Sequence, residues 1–384
     1  MSTGPCSRKL LPFGESIFTH MTRLANQHGA VNLSQGFPDF DGPDWLKEAA
    51  CEAIRRGPNQ YAPSAGAADL RQALHRKMLR DYRLDYHPET EITVTSGATE
   101  ALFATLQGLL DPGDEVLLLE PYYDSYPACV VMAGGIPRYL PMRGDGFRLD
   151  PDELERAVTP ATRLLMLNSP NNPTGKVFTQ EELDRVADLA VRRDLVVVSD
   201  EVYEHLVFEP EVHRPLASFP GMRERTVTIS SISKTMSMTG WKVGWAMAPS
   251  ELTRAVRSAK QFITFCSVAP LQNAVAATLD RLPELLPAQV AEYRRRRDAL
   301  TATLEEFGLT VRAPAGTYFI VADIRPVTRD DDLAFCERLT RERGVAAIPC
   351  SAFYHDRQQV SHLVRFAFCK NLATLEEARR RLLG

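Results

Sequence analysis

The chain has 384 residues, too many for one small core and suited to a large α/β domain with a smaller companion. An apolar fraction of 44% is that of an ordinary globular protein, and a net charge of -4 gives no pull toward nucleic acid or anionic lipid. The seven cysteines are odd in number, with no CxxC pair and no histidine cluster; this argues against a disulfide framework or a metal site and for a reducing cytoplasm.

The first dozen residues, with Pro5, Pro12 and Gly14, read as an irregular arm, and residues 15–28 as a short amphipathic helix. Pro43 opens and Gly57 closes a helix with Leu46, Ala49, Ala50, Ala53 and Ile54 on its buried face. Five apolar runs of strand length follow, at 92–95, 116–119, 164–167, 195–198 and 226–229. Capped helices lie between some of them: Asp150-Pro151 with Glu153 starts one, and Thr179 with Glu182 forms a capping box for another. Strands that are apolar without alternation are buried on both faces, which predicts a mostly parallel sheet flanked by helices. Beyond about residue 285 come a long charged helix (288–306), a strand at 317–322, a helix near 331–342, strands at 345–348 and 363–368, and a terminal helix. They read as a smaller α/β domain against which the N-terminal arm packs. The expected division is 1–44 as arm and part of the small domain, 45–285 as the large domain and 286–384 as the C-terminal small domain. No apolar run approaches the roughly 20 residues that span a bilayer, and the first residues lack an apolar signal core.

Open parallel sheets bind ligands beyond the carboxyl ends of their strands. The first run enters Ser96-Gly97-Ala98-Thr99-Glu100, a small-residue turn opening a helix, which suits a phosphate. The second enters Glu120-Pro121-Tyr122-Tyr123, whose rings can stack on a planar ligand. The third enters the proline-rich loop Asn168 to Gly175, which presents an amide. The fourth enters Ser199-Asp200-Glu201-Val202-Tyr203, with an acid that needs a cationic or N–H partner. The fifth enters Ser230-Ser231-Ile232-Ser233-Lys234, a lysine recessed among hydroxyls. Taken alone, the small-residue turn reads more readily as an ordinary strand–helix turn and the tyrosine pair as packing; together the five match what a pyridine aldehyde phosphate needs. Nucleotide readings fail: no GxGxxG follows a strand, and before Gly175-Lys176 the first P-loop glycine is replaced by Pro170.

The chain resembles the class I pyridoxal-phosphate aminotransferases of fold type I. The resemblance rests on NLSQGFPDF (32–40), NQYAPSAGAADLR (59–71), TSGATEAL (95–102), EPYYDSY (120–126), NSPNNPTG (168–175), SDEVYEHL (199–206), SSISKTMSMTGWKVGW (230–245) and LVRFAFCK (363–370). QGFPDF, SDEVYEH, MTGWKVGW and GVAAIP (344–349) are most similar to the branch of methionine and kynurenine/glutamine aminotransferases. The resemblance implies a mostly parallel seven-stranded sheet and pyridoxal 5'-phosphate held on Lys234, which also moves the proton. Asp200 would pair with the ring nitrogen, Tyr203 and Asn172 would contact the ring oxygen, and Tyr123 would stack on the ring. Gly97, Ala98 and Thr99, with Ser231 and Lys242, would hold the phosphate. Tyr61 would reach the phosphate of a neighbouring subunit, implying a homodimer with shared sites. Arg365 would clamp the substrate carboxylate, helped by Asn172 and the backbone of Gly36, and Phe18 would line the side-chain pocket.

Many class I members carry arginine where this chain has Lys242; the branch favoured here uses lysine. Kynurenine aminotransferases place a histidine after the phenylalanine matching Phe265, and here Cys266 stands there, which weighs against kynurenine. The expected activity is transfer of the amino group of a neutral amino acid (methionine, glutamine or an aromatic one) to a 2-oxo acid, with no nucleic-acid or membrane partner. The alternatives are a cysteine-conjugate β-lyase or a broad, aspartate-type aminotransferase on the same scaffold. A regulatory module fused to a DNA-binding segment is disfavoured, because QGFPDF already begins at residue 35.

Overall fold

The structure, a computed structural model, describes residues 7–57 and 59–384. Pro5 and Cys6, part of the expected arm, lie outside them. Strands Ile92–Ser96 (β1), Glu115–Glu120 (β2), Ile136–Pro141 (β3), Thr162–Asn168 (β4), Val196–Asp200 (β5), Thr226–Ser231 (β6) and Val243–Met247 (β7) form one sheet in the order β1-β7-β6-β5-β4-β2-β3. Six run parallel, and β7 is antiparallel to both neighbours. The five apolar runs are β1, β2, β4, β5 and β6. The other two carry weaker signals. β3 is an edge strand with two prolines and little burial, and β7 contains Gly244 beneath a polar turn.

Side-chain alternation divides the central strands between two apolar layers. Val116, Leu118, Leu164, Met166, Val196 and Val198 pack into one layer, and Leu117, Leu119, Leu165, Leu167 and Val197 into the other. Each such side chain is fully or almost fully buried, worth about 1.5–3 kcal/mol apiece. Both faces are therefore covered by helices, which leaves the strand ends as the place for a ligand.

The first four α-helices are Ile17–Gln27 (α1), Asp44–Arg56 (α2), Ala68–Tyr82 (α3) and Gly97–Leu109 (α4), of which α1 and α4 contribute residues to that edge. Ser16 caps α1 by accepting from the Thr19 amide. Pro43 and Gly57 bound α2 as the sequence predicts, with Gly57 at φ 63.

A second, antiparallel sheet consists of Thr310–Val311 (β8), Phe319–Asp323 (β9), Ile348–Pro349 (β10) and Leu363–Ala367 (β11), in the order β10-β11-β9-β8. The strand expected at 317–322 begins two residues later. Thr317 adopts φ 64 and gives its amide to Leu206 instead. The strand expected at 345–348 is two short ladders: Val345–Ala346 pairs with Val31–Asn32, and after Ala347 the chain changes partner to β11. The helix expected at 288–306 starts earlier, at Leu282, and holds Pro287 inside it. Met21, Leu24 and Leu33 share a core with Leu300, Leu304, Phe335 and Leu375, so the segment after residue 16 packs on the C-terminal part. No helix among the described residues is long and apolar enough to cross a membrane.

Candidate active site

β1 ends at Ser96, and Gly97 opens α4 with φ 77. The first amides of a helix have no intrahelical acceptor, and those of Gly97, Ala98 and Thr99 lie where these residues line a cavity of about 230 Å³. Lys242 precedes antiparallel β7 in a left-handed conformation, φ 53, which brings it to the same edge. A Cβ on Gly97 would stand 3.0 Å from Lys242 Nζ, so the lysine crosses directly over the turn. A Cβ on Gly244 would come within 2.6 Å of the Gly97 carbonyl carbon; only glycine lets β7 pack this close to the turn. Ser231, paired with Gly244 across the sheet, completes this end. Free amides, a helix dipole, a cation and a hydroxyl form a phosphate cradle.

At the neighbouring strand end Asp200 is 5% exposed. Its carboxylate accepts from the Tyr126 hydroxyl at 2.6 Å and from the Val202 amide at 3.3 Å. Burial pushes its pKa up to about 6 even though both donors lower it. Such a carboxylate is short of one cationic partner. Tyr123 also lines the cavity, its ring edge-on to Tyr126 at 5.8 Å.

Lys234 rises from the short helix Ile232–Thr235 that follows β6. Its Nζ stands 5.9 Å from the Tyr203 ring centre and 5.7 Å from that of Tyr318. Burial, partly offset by Cys369 and Asp200, lowers its pKa to about 8. A lysine so placed is neutral, and so nucleophilic, for about a tenth of the time at pH 7, against well under a thousandth for an ordinary lysine.

Arg365, on β11, closes the far end at 1% exposure. It donates to Asn172 Oδ1 at 2.9 Å and to the Ser34 carbonyl at 2.8 Å, while its buried Nε–H has no acceptor among the described residues. Three phenylalanines surround the guanidinium: Phe319 at 4.0 Å, Phe18 at 5.2 Å and Phe353 at 5.3 Å. Asn172 is itself fixed, its amide N–H donating to Asn168 Oδ1 at 2.7 Å. Gly36 passes flat over Phe319, where a Cβ would meet the ring at 2.6 Å, and its carbonyl accepts from the Tyr318 hydroxyl at 2.6 Å. An orphaned, oriented guanidinium donor is suited to a carboxylate.

All the residues singled out from the sequence line this one cavity except Tyr61. Tyr61 is 83% exposed and stands edge-on to Phe265, outside the cavity of its own chain. Sequence reasoning missed Tyr126 as the partner of Asp200, although it closes the EPYYDSY motif, and Phe319, Phe37, Gln35 and Thr239 in the lining. Phe319 looks like an ordinary core residue in an apolar strand. Its place became visible only once β9 was seen beside β11.

The residues fit pyridoxal phosphate: a phosphate cradle, a buried carboxylate lacking a cation for the ring nitrogen, and an amine for the aldehyde. Comparison with known proteins agrees. A family model described as "Aminotransferase class I and II" matches residues 28–382. A probable N-succinyldiaminopimelate aminotransferase of Mycobacterium tuberculosis is 51% identical, with 97% of each chain covered. The methionine aminotransferase of Escherichia coli is 42% identical, again over 97% of each chain. The solved structure of N-succinyldiaminopimelate aminotransferase from Mycobacterium tuberculosis superposes with a TM-score of 0.95, covering 98% of this chain and 99% of that one. The chain belongs to the class I and II aminotransferases and is a pyridoxal-phosphate-dependent transaminase.

Proposed function

We propose that the amino donor is an amino acid whose side chain begins with methylene groups and ends in a polar head, of the N-succinyldiaminopimelate kind. One observation carries the first half. The cations lining the cavity are Lys234, Lys242 and Arg365, and all three are engaged by the phosphate, the aldehyde carbon and the α-carboxylate. What remains beside Phe18 is the apolar wall it forms with Phe37 and Phe319, and the neutral amide of Gln35, with no cation. A short acidic side chain such as that of aspartate would be buried there without a partner, which is costly. The distal head follows from the 51% identity to the Mycobacterium enzyme. Methionine is the second reading, favoured by the same apolar wall and by the 42% identical relative.

When bound, pyridoxal phosphate supplies an aldehyde for the amine and a ring that takes up the electron pair left on Cα. The chain does the rest. The N–H groups of Gly97, Ala98 and Thr99, with Ser231 and Lys242, would anchor the phosphate. Asp200 would hold the cationic ring N–H at its carboxylate, and Tyr203 and Asn172 would hold the ring oxygen. Arg365, aimed by Ser34 and Asn172, grips the α-carboxylate and so turns the Cα–H toward Lys234. With the cofactor bound, Lys234 Nζ would take that proton and return it to the carbon on the other side of the amino nitrogen, acting as base and acid in turn.

The protein works as a homodimer on this reading. The motivation is the exposed apolar group Tyr61, Phe262, Phe265 and Val268, with Tyr61 free to enter a partner's site. The free cysteines Cys51, Cys129, Cys266, Cys336, Cys350 and Cys369 favour a reducing compartment.

The test is a single-turnover panel, following the visible absorption of the loaded enzyme with N-succinyldiaminopimelate, methionine, phenylalanine and aspartate. The expected order is N-succinyldiaminopimelate first, methionine and phenylalanine next, aspartate last by at least about a hundredfold, the scale of one unpaired buried charge. Equal rates with aspartate and methionine would defeat the reading. Pyruvate and ammonia released from a cysteine conjugate, with no 2-oxo acid present, would point to elimination instead.

A further inference from the structure

Behind the turn that carries Lys234 lies a second, largely buried group of charged side chains that the reaction does not touch. Lys77 Nζ, on α3, is 2.6 Å from Glu204 Oε2, and the two side chains are 1% and 4% exposed. The same carboxylate accepts from the Tyr82 hydroxyl at 2.7 Å and, at Oε1, from Ser230 Oγ at 2.7 Å. His205 Nε2 stands 3.7 Å from Glu204 Oε2, beyond hydrogen-bond distance and with no hydrogen-bond partner among the described residues, and its Nδ1 is 2.9 Å from Thr235 Oγ1. Thr235 directly follows Lys234, is 2% exposed, and also has its carbonyl held by the Gln289 side chain.

The order acid, imidazole, hydroxyl is that of a nucleophile relay, but here the acid meets the imidazole as a charge contact and not as a hydrogen bond. Thr235 does not line the cavity, so no substrate can reach its hydroxyl. What the series can do is fix position. We propose that His205 is a positioning residue for Lys234: its Nε2–H faces Glu204, and its bare Nδ1 accepts the Thr235 hydroxyl. The turn bearing the lysine is thereby tied to the segment of residues 204–205, which Glu204 holds to α3 through Lys77 and to β6 through Ser230. This rests on the reading that Lys234 carries the cofactor.

The chemistry of the pocket supports this tautomer. The charged groups facing the ring are Glu204, Lys77, Asp81 and His213. Burial lowers the ring's pKa to about 4, so it is neutral at any working pH. Burial also pushes the Glu204 carboxyl up, but Lys77 outweighs this and holds it well below the usual range, so the anion whose charge favours a proton on Nε2 persists. Thr235 must then donate, and that leaves its side chain one rotamer. A lysine that has to reach Cα and the next carbon along tolerates little drift, since a displacement of about 1 Å can cost a hundredfold in rate.

The test compares holoenzyme carrying Thr235→Val, near-isosteric but lacking the hydroxyl, with Thr235→Ser. The valine variant is expected to lose about ten- to a hundredfold in kcat, with KM for the amino acid within about twofold. It should also shift the pH midpoint of the visible band of the lysine-bound cofactor, and serine should restore both. Wild-type kcat and midpoint in the valine holoenzyme would overturn the proposal. In wild-type holoenzyme, the ring ¹⁵N shifts of His205 read the tautomer even if the valine variant does not fold. A protonated Nε2 and bare Nδ1 from about pH 6 to about pH 9 are expected, and a proton on Nδ1 anywhere in that range contradicts the proposal. Lys234→Ala separates the two readings. If it keeps the wild-type band, the assignment of Lys234 is wrong; if the band is lost while the valine variant behaves as wild type, only the role of His205 fails.

Discussion

Tyr126→Phe isolates the single hydroxyl that steadies Asp200. The ring stays, with its edge contact to Tyr123, and only the 2.6 Å donor to Oδ2 is lost. A hydrogen bond to a buried carboxylate contributes about 1.5–3 kcal/mol. At 1.36 kcal/mol per unit this moves the Asp200 pKa by about one to two units. The donor lowers that pKa, so its removal raises it, from about 6 to roughly 7–8. At pH 7 the ionised fraction then falls from about nine-tenths to between about a half and a tenth. The assay is the dissociation constant of pyridoxal phosphate for apoprotein across pH, wild type against variant, so that the ligand's own titration cancels. Weaker binding at neutral pH, with the midpoint moved up by one to two units, is expected. Identical curves would refute the claim that Tyr126 tunes this acid.

Other outcomes follow from the same geometry. Because burial raises Asp200 above its unfolded value of 3.8, its ionisation destabilises the folded apoprotein. That cost is absent below about pH 4 and reaches about 3 kcal/mol above about pH 6, so urea titrations at pH 5 and pH 8 should differ less in Asp200→Asn. Lys234, lowered to about 8, should make the rate of colour formation between apoprotein and pyridoxal phosphate rise with pH through about 8; a midpoint near 10.5 would contradict this. Arg365→Met should raise KM for the amino acid by at least about a hundredfold, the cost of one charged fork, with kcat less affected. Gly244→Ala, whose Cβ would press on the Gly97 backbone, should weaken cofactor binding about tenfold or more by equilibrium dialysis, while the wild-type far-ultraviolet spectrum is kept.

The central strands were legible because they are apolar on both faces, and the site followed because each one ends in polar residues at the same edge. Lys242 was legible only through resemblance. Its place depends on β7 running antiparallel, which Gly244 and Trp245 do not announce. Ala347, where the chain leaves Val31–Asn32 for β11, has no sequence signal at all, because the switch is a matter of which partner is nearby. Tyr126 sat inside a quoted motif, yet its bond to Asp200 spans 74 positions. The Lys77–Glu204 pair spans 127, and on sequence alone Lys77 is one more cation on an amphipathic helix. Pairings of that range are set by the tertiary fold, and a single sequence gives them no local trace.

The most direct test is to reduce the loaded enzyme with borohydride and map the phosphopyridoxyl group by peptide mass spectrometry. The group is expected on Lys234, with labelling suppressed when an amino donor is added first. A label on Lys242 or any other lysine, with Lys234 unmodified, would contradict the assignment on which the proton path depends.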